Sequence, residues 1–456
     1  MRDARFRRLF SAQVIALVGT GLSTVALTLL AYDLAQGRAA AVLGTALACK
    51  MVAYVVFAPI VGGLSHRFSR KPFLIAMDLV RAGLVLAMPF ASAIWQIYLL
   101  VFLLNLFSAG FKPVFAATIP DILPDERTYT RALALSRLAY DLENLLSPLL
   151  AGLALLFFTY TGLFAANSAA FVVSAVLIAL TAVAPQRQAE RLGTIRQQIT
   201  FGVSAYLRTP RLRGLLALYM AVASASAMVI VNTVVYVRDT LGGSESDVAL
   251  ALAAAGGGSM LAALSLPRLL DRVPDRPVLL CGAVLMALGL FGMALGPSLA
   301  ALVCIWFGVG IGWSLVQTPA GRVVNRSSSA DDRPAYFSAQ FALSHACWLV
   351  LYPVAGQLGS RIGVEATAFW LAVGVLGFAA LGAVLWPRDD PDVRLHTHAE
   401  TDHEHTHVHD DHHEHDHEGW EGPEPHRHPH GHAAFRHTHP FVIDDHHATW
   451  PDASTP

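Results

Sequence analysis

Eighteen of the chain's twenty histidines stand in its last sixty-one residues, 396–456. They run as His396-x-His398, His403-x-His405-x-His407-x-His409 and His412-His413-x-His415-x-His417, then His426-x-His428-x-His430-x-His432, His437-x-His439 and His446-His447. Neutral imidazole is the commonest side-chain metal ligand, and nickel, zinc, copper and cobalt all accept it. In an extended segment residues i and i+2 point to one side, so each H-x-H run is a ladder of ligands along one edge. Carboxylates at Glu400, Asp402, Glu404, Asp410, Asp411, Glu414, Asp416 and Glu418 add oxygen donors. The stretch lacks the apolar residues of a core, so 389–456 is expected to be a disordered tail. An open ladder cannot choose nickel over copper, and no spacing here announces a closed tetrahedral site. The expected chemistry is collection of Ni2+ or similar divalent cations, with no cofactor required. The alternative is a polar tail with no metal role.

A second group of candidates sits in an otherwise apolar body: Lys50, Asp78, Arg81, Arg137, Asp141, Glu143 and His345. Charges in mid-membrane are costly and default to functional hypotheses. Asp78 and Arg81, at i,i+3, are expected to neutralise each other. At 100° per residue Arg137, Asp141, Asn144 and Pro148 share one helix face, while Glu143 stands about 200° from Asp141. Asp141 with Asn144 is therefore expected to face the ion, unless Arg137 holds Asp141 in a permanent pair. His345 is the lone histidine within a predicted span and can trade a proton for a metal ion, or act only as a hydrogen-bond partner. Lys50 is read as a fixed cation on the pathway or as a buried partner for an acid.

The elements that must hold these groups are membrane helices. Hydrophobic residues make up 54% of the 456, and mean hydropathy is +0.49 even with the polar tail included. Twelve stretches approach the roughly 20 residues that span a bilayer: 10–32, 41–64, 73–93, 95–117, 132–158, 161–184, 212–237, 248–267, 278–296, 298–321, 335–359 and 364–386. Basic residues gather in alternate loops, with Arg2, Arg5, Arg7 and Arg8 before the first span and Arg67, Arg70 and Lys71 after the second. By the positive-inside rule both termini are expected in the cytoplasm. Cys49, Cys281, Cys304 and Cys347 all lie inside spans and read as small core residues. No basic patch interleaved with aromatics suggests nucleic acid.

The halves echo each other at an offset of 205 residues: Arg67 with Arg272, Lys71 with Arg276, Pro72 with Pro277, Pro148 with Pro353. This divides the chain into 1–184, a linker at 185–211, a second half at 212–388, and the tail. Gly62-Gly63-Leu64-Ser65-His66-Arg67-Phe68-Ser69-Arg70-Lys71 resembles the major facilitator signature G-x3-D-R-x-G-R-[RK], with His66 for Asp and Ser69 for Gly. The second half offers Asp271-Arg272 at the matching loop. The resemblance implies an all-α fold of twelve transmembrane helices in two six-helix repeats. It implies that Arg67, Arg70, Lys71, Asp271 and Arg272 help lock the halves on the cytoplasmic side. It also implies that helices one and four line the cavity, which makes Asn105 and Ser108, and Gln13, Thr20 and Thr24, polar candidates there.

Ser147-Pro148-x3-Gly152 resembles the Gly-Pro-rich antiporter signature, with Ser where Gly is usual, and the segments 113–124 and 144–152 with the Asp78-x-x-Arg81 pair resemble the exporter branch that includes macrolide and siderophore exporters. With the histidine-rich tail added, the chain is most similar to nickel-resistance permeases of that branch. The implied activity is export of a divalent metal, nickel first and cobalt or zinc after it, by proton antiport from a monomer in the bacterial inner membrane. Its partners are the metal ion, protons and the lipid bilayer. Export of a drug or siderophore, with an incidental tail, is the rival expectation; a metal-binding membrane protein that transports nothing is a third. No G-x4-G-K-[ST] loop or nucleophile–base arrangement suggests an enzyme.

Overall fold

The computed structural model describes residues 3–35, 39–182, 194–391, 393–398, 401–407, 426–432, 435–444, 447 and 450. Six long helices make the first half: α1 (Ala4–Ala35), α2 (Ala39–Gly63), α3 (Arg70–Ala87), α4 (Ile94–Ile122), α5 (Glu126–Leu155) and α6 (Tyr160–Ala179). A linker helix, α7 (Ile195–Arg208), follows. It is started by a capping box in which Thr194 and Gln197 satisfy each other's backbone amides. The seventh span combines α8 (Pro210–Ala227), a π-turn at Met228–Asn232, the short α9 (Thr233–Val235) and a second π-turn at Tyr236–Thr240. The last five helices are α10 (Glu245–Leu270), α11 (Asp275–Ala294), α12 (Leu299–Arg326), α13 (Arg333–Ile362) and α14 (Val364–Leu385).

Ten of the described spans are long and apolar enough to cross a membrane. α2 and α5 complete the expected twelve. In α2 the described stretch Ala48–Gly63 is apolar. α5 carries Arg137, Asp141 and Glu143, the charges that make it chemically interesting. The helices also outrun their hydrophobic stretches: α5 begins at Glu126, not near residue 132. Asp125 caps it, accepting from the Thr128 amide at 2.9 Å, and this bonding holds the Asp125 carboxyl below its usual range.

Lipid offers helices no hydrophobic incentive to associate, so close backbone approach must hold the bundle. A Cβ on Gly258 of α10 would collide with the carbonyl oxygen of Phe307 in α12, which is why that contact takes glycine. Trp306, Leu302, Met286 and Leu290 fill the core of the second half. Ile97, Phe164 and Phe171 fill part of the first. The halves meet along α2 with α13 and α5 with α10. α7 is wedged at one end of the first seam, where Gly202 leaves room for the Ala335 carbonyl. The arginine-rich loops, the start of α1 and the end of α14 share that end of the bundle, called here the basic end.

The tail departs from the expected disorder. Four strands, β1 (Val393–His398), β2 (Thr401–His407), β3 (His426–His432) and β4 (Phe435–Pro440), form two antiparallel pairs, β1 with β4 and β2 with β3. The pairing is nested, so the chain runs out along β1 and β2 and returns along β3 and β4. The H-x-H alternation that suggested a one-sided ladder has the two-residue period of a strand. Its polar residues need no core when the ladder bonds lie between backbones. His409, His412, His413, His415, His417 and His446 lie outside the described residues.

Candidate functional site

A cavity of about 520 Å³ opens at mid-bundle between α1, α2, α4, α5 and α12. α1 contributes Gln13, Thr20 and Thr24, and α4 contributes Asn105 and Ser108. These polar side chains are spaced by three, four or seven residues, one or two helical turns, which keeps each set on one face of its helix. Asn105 donates to the Val101 carbonyl one turn earlier, and Ser108 to Leu104 at the same spacing. Gln13 accepts from Ser136 of α5 at 3.0 Å.

The charged lining is mostly basic: Lys50, Arg81, Lys112 and Arg137, with the single carboxylate of Glu143 among the described residues. Lys112 donates to the Tyr54 hydroxyl at 3.0 Å, and its ammonium lies 5.0 Å from the Tyr54 ring centre. The Lys50 ammonium lies 5.8 Å from the same ring. Arg81 is paired with the fully buried Asp78, which also accepts from Ser174 at 2.7 Å. The Arg81 guanidinium is sandwiched between Phe111 and Phe171 at 4.0 and 4.5 Å. So Asp78 neutralises Arg81, as the spacing suggested, yet Arg81 still reaches the cavity wall.

The structure separates the expected pathway residues. Lys50 and Asn105 line the cavity; Asp141 and His345 are not among the lining residues; the Asn144 side chain lies outside the described ones. The shared face of Arg137 and Asp141 turns to the seam between the halves. Arg137 holds both Asp141 oxygens, at 2.6 and 3.2 Å, and donates to Gln317 of α12 at 2.9 Å. Ser259 of α10 donates to Asp141 at 2.6 Å. Asp141 is thereby saturated by partners, and the carboxylate left to face the cavity is Glu143, on the other side of the helix. His345 packs in an aromatic cluster with Phe341, Tyr54 and Trp348, at ring distances of 4.2, 4.8 and 5.3 Å. Its Nδ1 faces the Phe341 carbonyl at 2.7 Å. Lys112 and Tyr54 were missed, although a lysine inside the fourth apolar stretch was itself a signal.

At the basic end the halves are tied by ion pairs. Asp121, at the end of α4, pairs with both Arg70 of α3 and Arg333 of α13. Arg70 also donates to the Ala330 carbonyl across the seam at 3.2 Å. Arg322 reaches Glu126 at 2.5 Å and Asp275 at 3.4 Å. Asp271 meets Arg127 at 3.4 Å. Arg67 donates to Gln198 of α7 at 2.9 Å. Lys71 lies in the first turn of α3, and Arg272 follows α10 with its amide on the Leu269 carbonyl. Among the described residues no group of three or more His, Cys, Asp or Glu side chains is placed to hold a metal ion.

The sequence model of the family described as Major Facilitator Superfamily matches residues 9–237 and 215–421. The Uncharacterized MFS-type transporter YfiS of Bacillus subtilis (strain 168) is 27% identical over 203 residues, 42% of this chain and 48% of its own. Macrolide efflux protein A of Streptococcus pyogenes is 24% identical over 181 residues, 39% of this chain and 44% of its own. The matched part is thus less than half of either relative. Among solved structures, the human organic anion transporter MFSD10 (TETRAN) superposes with a TM-score of 0.73 at 13% identity, covering 84% of this chain and all of that one. The E. coli fucose:proton symporter FucP gives 0.65 at 14% identity, covering 83% and 98%. At these identities the structures speak to fold alone.

Proposed function

The chain belongs to the Major Facilitator Superfamily, and from that premise we propose that it is a secondary exporter of divalent transition-metal cations, nickel first with cobalt or zinc as alternatives, driven by proton antiport. The observation that carries the metal is the register of the tail. His396 stands opposite His437, His403 opposite His430, His405 opposite His428 and His407 opposite His426. Directly opposed residues in an antiparallel pair hold their Cβ atoms about 4.5–5.5 Å apart, and imidazoles at such spacing suit one shared ion. By the positive-inside rule the basic end faces the cytoplasm across a bacterial inner membrane, where these residues meet intracellular metal.

The lock formed by Asp121 with Arg70 and Arg333, and by Arg322 with Glu126, corresponds to a carrier closed on that side. Parting the halves there admits cargo to the cavity, and rocking back exposes it outside. We assign the proton to Glu143, the cavity carboxylate, since its charge must change if cargo and proton are to alternate. Everted vesicles given a proton gradient and radioactive nickel chloride should accumulate the metal. If nickel, cobalt and zinc all fail to accumulate above vesicles without the protein, the metal assignment falls.

A second reading is favoured by the cavity wall. With Arg81 paired to Asp78 and Arg137 to Asp141, Lys50 and Lys112 face the single lining carboxylate of Glu143, a balance that suits a cargo with negative charge. Such a cargo is an organic anion. Vesicles offered nickel chloride and nickel citrate separately distinguish the two: bare-cation transport requires accumulation from the chloride salt.

A further inference from the structure

The last described residues of the chain return to the bundle. Phe441 and Ile443 are only 3% and 2% exposed, and Ile443 is part of the core of the second half. The Tyr336 hydroxyl, near the start of α13, donates to the Ile443 carbonyl at 2.7 Å. The Phe441 ring meets His447 and Trp450 edge-on at 4.7 and 5.2 Å. Asp444 accepts from the His447 amide at 2.7 Å, which closes the segment into a turn. At the other end of the tail, Asp390 is held by Arg211 at 3.1 Å, Arg326 at 2.7 Å and the Trp386 indole at 3.0 Å. Arg211, buried in the first turn of α8, serves both ends, because its guanidinium also lies 5.3 Å from the Trp450 ring. Between the two points the strand register closes with Val393 opposite Pro440.

We propose that residues 441–444, with His447 and Trp450, are a built-in anchor whose acceptor is the start of α8 and α13. The histidine-bearing stretch is then a loop pinned at both ends over the basic end of the bundle, not a free tail. The apolar run Phe441-Val442-Ile443 is what a long polar stretch otherwise lacks, and it is the part that is buried. The anchoring contacts named above all lie in the second half, which moves as one body when the halves rock. A contact equal in both states shifts no equilibrium, so the anchor does not gate the carrier. What it changes is the local concentration of ligands at the cytoplasmic mouth, which a tether at two points confines more than a tether at one. This consequence rests on the reading of the histidines as metal collectors; the docking itself does not.

Two measurements on the full chain in nanodiscs and vesicles decide the matter. In the absence of metal, hydrogen exchange at 441–444 should be slow, and a chain ending at Pro440 should exchange faster around Tyr336. Tyr336→Phe should speed exchange at 441–444 without disturbing the rest of α13. Fast exchange at 441–444 in the intact chain overturns the anchor. The chain ending at Pro440 keeps sixteen of the eighteen tail histidines, losing His446 and His447. With nickel chloride as the probe, it should need a severalfold higher concentration for half-maximal vesicle uptake, as a chain ending at Asp390 should. If the Pro440 chain matches the full chain while the Asp390 chain is impaired, the role given to the anchor is wrong. If both truncated chains match the full chain but 441–444 still exchanges slowly, the docking stands and the metal-collecting reading fails instead.

Discussion

Arg322 of α12 lies 2.5 Å from the carboxylate of Glu126 at the start of α5, so a base of the second half meets an acid of the first. Arg322 also faces an acid of its own half, Asp275. Asp121 repeats the geometry with the signs exchanged, an acid between Arg70 of its own half and Arg333 of the other. Arg70 and Asp275 are related by the 205-residue offset of the repeat. At that one position the repeat has reversed the charge, an arginine in the first half and an aspartate in the second.

The two triads should not be equal in strength. Asp121→Asn strips the carboxylate from Arg333 across the seam, which is 13% exposed, as well as from Arg70, and breaking a buried pair costs about 3–5 kcal/mol. Glu126→Gln removes a carboxylate that is 65% exposed, and exposed pairs contribute about 0.2–1 kcal/mol. A cysteine placed at Ala116 on the cavity wall should therefore label from the basic end far faster with Asp121→Asn than with Glu126→Gln. Equal labelling in the two backgrounds would remove Asp121 from the lock.

Asp141 and Glu143, two residues apart, should fail in different ways. Asp141→Asn leaves Arg137 with a neutral partner and gives Arg137 and Ser259 one acceptor oxygen where they shared two, so the expected loss is stability, on the order of 3 kcal/mol. A lower melting temperature in detergent is the readout. Glu143→Gln should melt like the wild type and carry cargo down its gradient, but no longer respond to an imposed proton gradient. Retained proton coupling in Glu143→Gln would show that the proton sits elsewhere.

His345 is held by rings on three sides and by one backbone carbonyl. His345→Phe keeps the ring contacts and forgoes metal and proton chemistry. Transport within about twofold of wild type is expected, whereas His345→Ala should lower stability by roughly 1 kcal/mol or more through lost aromatic packing. Loss of uptake in His345→Phe at normal membrane levels would restore the histidine to the pathway.

The tail register makes a pairwise claim. His403 and His430 are opposed, and His403 and His426 are not. Nickel affinity measured by calorimetry should show non-additive losses for His403→Ala with His430→Ala, and additive losses for His403→Ala with His426→Ala. The same coupling in both cycles would mean that metal ignores the strand pairing.

Much of the architecture was legible in the chain. Twelve apolar stretches of bilayer length, the alternating arginine loops and the 205-residue echo are properties of covalent order and composition, and water or lipid acts on them locally. The signature at Gly62–Lys71 also marked Arg70 as a gating candidate, because a motif is a local object. Its partner Asp121 could not be found this way: it stands 51 residues on, and nothing local marks which acid an arginine will reach.

The histidine ladder's two-residue period was likewise written in the sequence, but its fate was not. Whether such a stretch floats or folds back depends on Phe441 and Ile443 finding Tyr336 and the core around it, a long-range packing event. For α5 the sequence determined that Asp141 and Glu143 lie on opposite sides, because 100° per residue is a property of the helix alone. Which side meets the cavity and which the seam was decided only when α10 brought Ser259 against Asp141. Rotation of a helix about its axis is set by its neighbours, and neighbours are what tertiary structure supplies.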